Sequence, residues 1–192
     1  APFRGGKGST WEGGMREPAV IWAPGRVAPG SVSMQPLSMM DFLPTFSDLA
    51  GIPNPEGVII DGKSFASILP KPGTPPPTKK DPEPPVHEFL FYWREHVLYA
   101  TRYGPWKAHF FTRPGFIPDP PTKHDPPLLF QIEEDPAERL PVNVTTQPEI
   151  LATIIRVSQE HVANITRGIS QYEAQNWDVV PCCNHPYNKT QA

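Results

Sequence analysis

Apolar positions recur along this chain with two different periods. Residues 88–93, 97–103 and 106–112 are aromatic-rich runs separated by Arg94-Glu95-His96 and by Gly104-Pro105, a spacing that predicts an antiparallel meander. Residues 128–132 predict a fourth strand, closed by the turn Glu134-Asp135-Pro136. A helical period follows: Leu151, Ile154, Ile155, Ser158, Val162 and Ile165 share one stripe, opened by Thr146 and Glu149 as a capping box and stopped by Gly168. These elements predict a four-stranded antiparallel sheet covered by one helix. Nearer the start, Pro18-Ala19-Val20-Ile21-Trp22-Ala23 predicts a short buried strand that stops at Pro24-Gly25. Asp41 then predicts the N-cap of a helix with Phe42, Leu43, Phe46, Leu49 and Ala50 on one face, Pro44 in its first turn and Gly51 as its stop. Residues 169–192 carry no readable period, and no internal repeat is present.

Proline changes this picture. The chain has 28 of them, and residues 70–86 hold eight in seventeen positions with Lys79 and Lys80 between, which predicts an extended exposed connector. The expected organisation is therefore a first part at 1–69, the connector at 70–86 and a small sheet domain at 87–192. A second proline-rich loop spans 113–127. With 38% hydrophobic residues the remainder can build a core. A net charge of -3 without any cluster of Lys and Arg argues against a nucleic-acid surface. No apolar run reaches the roughly 20 residues that cross a bilayer, and Ala1-Pro2-Phe3-Arg4 lacks the order of a signal peptide. Asn143, Asn164 and Asn188 each open an Asn-x-Ser/Thr triplet and are candidate glycosylation sites. Cys182 and Cys183 are the two thiols; neighbours in sequence rarely bond to one another, so their pairing stays open.

Candidate chemistry concentrates in the glycine-rich start, residues 5–18. It sets Lys7 among glycines, which lack Cβ and let a ligand approach the backbone. A nucleotide-binding P-loop fails in detail, because Gly8 rather than Ser or Thr follows the Gly-Lys pair, no glycine stands at the required upstream position, and Pro18 prevents a long helix. Glu12, Arg16 and Glu17 read as an ion-pair network holding the loop in preference to an acid/base cluster. His109 lies on a predicted strand between apolar residues, where a packed histidine is the default and a substrate-touching pocket wall its furthest functional reach. Asp41 as a metal ligand is outweighed by its capping role, so no metal ligand is assigned.

The run Gly6-Lys7-Gly8-Ser9-Thr10-Trp11-Glu12-Gly13-Gly14-Met15-Arg16-Glu17-Pro18 resembles the second sulfatase signature, G-K-x-T-x-[FWY]-E-G-G-x-R-E-P. The likeness continues through Trp22-Ala23-Pro24-Gly25, Asp41-Phe42-Leu43-Pro44-Thr45-Phe46, Asp61-Gly62, Lys107-Ala108-His109-Phe110-Phe111, Pro127-Leu128-Leu129-Phe130, Asp135-Pro136-Ala137-Glu138-Arg139 and Cys182-Cys183. It is strongest toward the arylsulfatase A and N-acetylgalactosamine-6-sulfatase branch. The resemblance implies an α/β fold of the alkaline-phosphatase-like type, of which this chain is the C-terminal part ending in the small antiparallel sheet and its helix. It implies a sulfuric ester hydrolase with Lys7 as the catalytic and substrate-binding donor to the sulfate and His109 as a second substrate-binding residue. It further implies a formylglycine nucleophile, made in a C/S-x-P-x-R motif, and one calcium ion held by Asp and Asn; this sequence contains neither motif, so both are expected in an N-terminal part of the same sulfatase that would be its partner. The cysteine that precedes the Gly-Lys pair in the family is replaced by Gly5 and Gly6. A lysosomal or secreted location is implied, and association with further copies stays open. The alternative to an enzyme part is a sulfatase-derived binding module without turnover, or a truncated remnant.

Overall fold

A computed structural model describes residues 2–73, 84–115 and 120–166. The meander forms as the sequence predicts: β1 (Phe89–Arg94), β2 (Val97–Tyr103) and β3 (Trp106–Thr112) are consecutive antiparallel neighbours, and β4 (Thr122–Gln131) pairs with β3 in the sheet order β1-β2-β3-β4. β4 starts six residues earlier than the apolar run suggests. Leu128 pairs with His109, but the next pair is Lys123 with Phe111, so Pro126 and Pro127 fall in a break in register on an edge strand. Proline is tolerated there because no ladder hydrogen bond is lost.

Alternation along β3 gives the sheet two unlike faces. Ala108 points to one side and packs with Leu129 and Ile154, joined by Trp106, Phe110 and Leu151. This is the face covered by α3 (Pro148–Asn164), where the Ser158 and Thr101 hydroxyls also share a buried 2.8 Å hydrogen bond. Ile154 and Ser158 are buried as the stripe predicts, while Val162 and Ile165 stay exposed. The helix does not start as expected. Asn143 caps a 3-10 turn, Val144–Thr146, and Gln147 becomes the N-cap of α3 with Pro148 in its first turn. A residue before proline is biased away from helical dihedrals, so the break falls at Gln147 and removes Thr146 from the cap. The predicted stop, Gly168, lies outside the described residues, as do Asn188, Cys182 and Cys183.

The first part of the chain is built differently. α2 (Phe42–Ala50) ends at Gly51 in the left-handed conformation, as predicted. Asp41 does not cap it. Its buried carboxylate instead accepts from the backbone N–H of Ser38 (2.6 Å) and Lys63 (2.9 Å) and meets His87 Nε2 at 2.8 Å, drawing three separate segments together. The predicted strand at 18–23 is absent: these residues are extended coil, with Val20 94% and Trp22 86% exposed, and no strand lies beside them among the described residues. A strand needs a neighbour to take its backbone hydrogen bonds, and local apolar character alone does not supply one.

Candidate functional site

The second face of the sheet carries the glycine-rich loop. Residues 4–16 curl back on themselves: the Gly13 N–H donates to Arg4 O at 2.8 Å and the Arg16 N–H to Glu12 O at 2.8 Å, closing a single helical turn, α1 (Glu12–Met15). A Cβ on Gly13 would run into the carbonyl oxygens of Arg4 and Gly5, and one on Gly14 into those of Ser9 and Gly6. The paired glycines are thus a packing requirement of the crossing.

Trp11 is the apolar anchor. It is buried with Phe130 and Ile132, lies 4.3 Å from the His109 ring, and carries the Arg4 guanidinium 3.9 Å above its own face. Beneath it lies a buried charged network. Lys107 Nζ donates to Glu12 Oε1 at 2.7 Å and lies 3.3 Å from Glu138 Oε1; His109 Nε2 is 2.6 Å from the same Glu138 oxygen. The other Glu138 oxygen accepts the Glu12 backbone N–H at 2.6 Å, and the Arg4 guanidinium donates to the Glu138 carbonyl at 3.0 Å. Lys107, His109 and Glu138 are all 0% exposed. Burial of this kind is stable only when every charge has a partner. Two carboxylates here face Lys107, with Arg16 reaching Glu12 from the rim at 3.9 Å.

Protonation follows from this geometry. Burial lowers the pKa of His109 from 6.5, against the pull of Glu138, so the ring is neutral and donates through Nε2. Burial alone would raise Glu138, but the His109 hydrogen bond and the Lys107 charge outweigh it and hold the carboxyl below 4.5. Tyr92, whose ring lies 4.6 Å from Lys107 Nζ, is pushed up by burial and by the Glu12 charge and stays a phenol.

Lys7 stands outside this network. It sits at the top of the loop in an exposed turn where the Ser9 N–H (3.0 Å) and hydroxyl (2.8 Å) both donate to Gly6 O, and its ammonium group makes no ion pair among the described residues. The loop therefore buries its acid and its tryptophan and offers its lysine. Of the residues singled out from sequence, Glu12 and Arg16 do form an ion-pair network, whereas Glu17 is exposed without a partner there. His109 is seated inside the sheet-loop interface with no exposed surface, and acts on the loop through Glu138. Asn143 and Asn164 are both exposed. Among the described residues there is no group of three or more His, Cys, Asp or Glu that could hold a metal ion.

Lys107 and Glu138 were not flagged by sequence reasoning. A signal existed for one of them: in Trp106-Lys107-Ala108-His109-Phe110, a lysine and a histidine two apart occupy one face of an otherwise apolar strand, which marks a polar seat awaiting an acid. Glu138, in a turn with positive φ (51°), carried no such pattern.

Comparison with known proteins adds to this geometry. The family described as the C-terminal region of aryl-sulfatase matches residues 85–191, and the sulfatase family matches residues 1–52. An arylsulfatase of Hemicentrotus pulcherrimus is 32% identical over 95% of this chain and 35% of its own length. The steryl-sulfatase of Rattus norvegicus is 35% identical over 91% of this chain and 33% of its own, and human arylsulfatase A is 33% identical over 96% and 38%. The chain thus spans about a third of the length of these relatives. In three dimensions it follows the fold of the PsFucS1 sulfatase from Pseudoalteromonas sp., with a TM-score of 0.67 and 24% identity over 84% of this chain and 32% of that one.

Proposed function

Because this chain belongs to the sulfatase family, we propose that it forms the part of a sulfuric ester hydrolase that presents a sulfate-binding lysine, Lys7, to the reacting ester. The observation that carries this reading is the contrast within one loop, where Arg4, Glu12 and Arg16 are engaged while the Lys7 ammonium is exposed and unpaired among the described residues. A sulfate ester gathers negative charge on oxygen as its S–O bond breaks, and a fixed ammonium group stabilises that charge more in the transition state than in the ground state. His109 enters this reading as a support of the loop.

In the same reading residues 1–69 close a larger α/β unit, 70–86 connect, and 87–192 form the small sheet domain on which the Lys7 loop is seated. The formylglycine nucleophile and the calcium ion belong to an N-terminal part of the enzyme. The exposed Val20, Trp22, Leu43, Phe46, Val58 and Ile59 support such a partner, since they are the apolar positions a larger sheet domain would cover. A lysosomal or secreted location fits the triplets. Asn143 is exposed with its Oδ1 accepting from Thr145 N (3.1 Å) and Oγ1 (2.9 Å), a turn that presents the amide outward; a glycosidase-sensitive mass on that peptide checks it.

The deciding experiment is turnover of an aryl sulfate by the natural protein that contains this chain. Lys7→Ala should lower kcat by about 10²- to 10³-fold, with the melting temperature unchanged because the ammonium group has no ion pair to lose among the described residues. Turnover within a few-fold of wild type removes Lys7 from the chemistry. Absence of turnover in the wild type leaves a binding module.

A further inference from the structure

Lys7 has glycine on both sides, so its own backbone is the least constrained part of the loop, yet the role proposed for it requires a fixed position. Two flanking carbonyls show how the chain is held. Gly6 O is taken by Ser9 from within the turn. Gly8 O accepts a hydrogen bond from Nη1 of Arg94, the last residue of β1, and the same nitrogen donates to Gly115 O at 2.7 Å. Gly115 is itself buried against the turn: a Cβ built on it would stand 3.5 Å from the Lys7 carbonyl oxygen. One guanidinium nitrogen thus ties the residue after Lys7 to a strand end 86 positions away and to the segment that backs the Lys7 peptide.

We propose that Arg94 is the positioning residue of the sulfate-binding lysine, acting on Lys7 through the Gly8 carbonyl. The proposal rests on the reading of Lys7 given above. Arg94 is suited to the task because a charged donor makes stronger hydrogen bonds to carbonyls than a neutral one, and because its planar group is preorganised at the end of a strand that is paired along its length. The buried network under Trp11 fixes the base of the loop. Arg94 fixes its tip.

Two measurements on the natural protein decide this. In amide hydrogen exchange, Arg94→Ala should speed exchange over residues 6–10 by about 10-fold or more, because the Gly8 carbonyl loses its tether and the turn closed by the Ser9 N–H on Gly6 O opens more readily, while the peptides of β2 and β3 keep their protection. In turnover of an aryl sulfate, Arg94→Ala should lower kcat by about 10²-fold with KM changed only a few-fold, as expected for a misplaced group that acts in the transition state. In a Lys7→Ala background the same substitution should cost about 3-fold or less, since its effect passes through the missing amine. Arg94→Lys, which keeps a charged donor of nearly the same reach, should recover a substantial part of kcat. Unchanged exchange at residues 6–10, or losses that simply multiply in the double variant, overturn the proposal. Should Lys7→Ala alone leave turnover intact, the catalytic reading fails, and the exchange result still decides whether Arg94 holds the turn.

Discussion

The two faces of the small sheet and the segment at residues 18–60 contain similar amounts of apolar sequence, yet one is packed and the other is not. On the sheet, Trp11, Phe130, Leu129 and Ile154 are almost fully buried, and even a lysine and a glutamate are taken out of water because each finds its counter-charge. Along 18–60, Val20, Trp22, Met34 and Phe46 face outward, and much of the order present is polar: the Asp41 carboxylate gathers backbone N–H groups, and the Thr45 hydroxyl accepts the Phe65 N–H at 3.0 Å. Hydrophobicity identifies what wants to be buried; only the presence of a partner decides whether it is.

The contrast predicts where substitutions matter. Removing one member of the buried network should have the largest effect: Lys107→Ala leaves Glu12 and Glu138 facing each other without their cation and should cost about 3–5 kcal/mol in denaturant unfolding. A loss under about 1 kcal/mol would show that water reaches this interface and that the two regions differ less than the geometry says.

A smaller, graded effect should appear with pH. His109 and His161 are neutral in the folded protein, each held below 6.5 by burial, His161 despite the opposing charge of Asp61. His161 accepts the Trp93 indole N–H at Nε2 and stacks on Phe91, which a proton on that nitrogen would disturb. Since the unfolded chain binds these protons more readily, their contribution to stability is complete above pH 6.5 and is lost as the pH falls through the lower folded values. Glu138, held below 4.5, adds a further loss in more acid solution. Melting temperatures recorded from pH 8 down to 4 should be level at first and then decline below about 6.5; a rise on acidification would reverse the assignment of charge.

The smallest effect is expected in the open region. Trp22→Ser in this chain alone should change the melting temperature of the sheet hardly at all, because the side chain touches so little, but should reduce aggregation measured by light scattering. A clear drop in the sheet's melting temperature would mean that Trp22 is covered in solution.

Much of the sheet and its helix was legible from sequence because their signals are local. Alternation at 88–112 and the stripe from Leu151 to Ser158 each follow from one element meeting one surface. The glycine loop stood out through the length of its likeness to the sulfatase signature, since by composition alone a lysine among glycines reads as a solvated loop. Glu138 was not legible, because pairing between Glu12 and a turn 126 positions away has no period to read. Asp41 and Thr146 misled for a common reason. Each is a good capping residue by type, and each was claimed by a neighbour: His87 and Lys63 took the first, while Pro148 moved the helix start past the second.

The separation between Glu12 and Glu138 also sets an order of events in synthesis. The signature loop leaves the ribosome ahead of the carboxylate that receives its backbone, which follows 126 residues later, a wait on the order of ten seconds at usual elongation rates. Throughout that interval Trp11 and Glu12 have no seat, and the turn carrying Lys7 hangs from an unfastened chain. Closure of the β3-β4 hairpin and the turn after it is therefore the step that fastens the loop, and a nascent chain interrupted anywhere before Glu138 carries the whole signature without the geometry that gives it meaning.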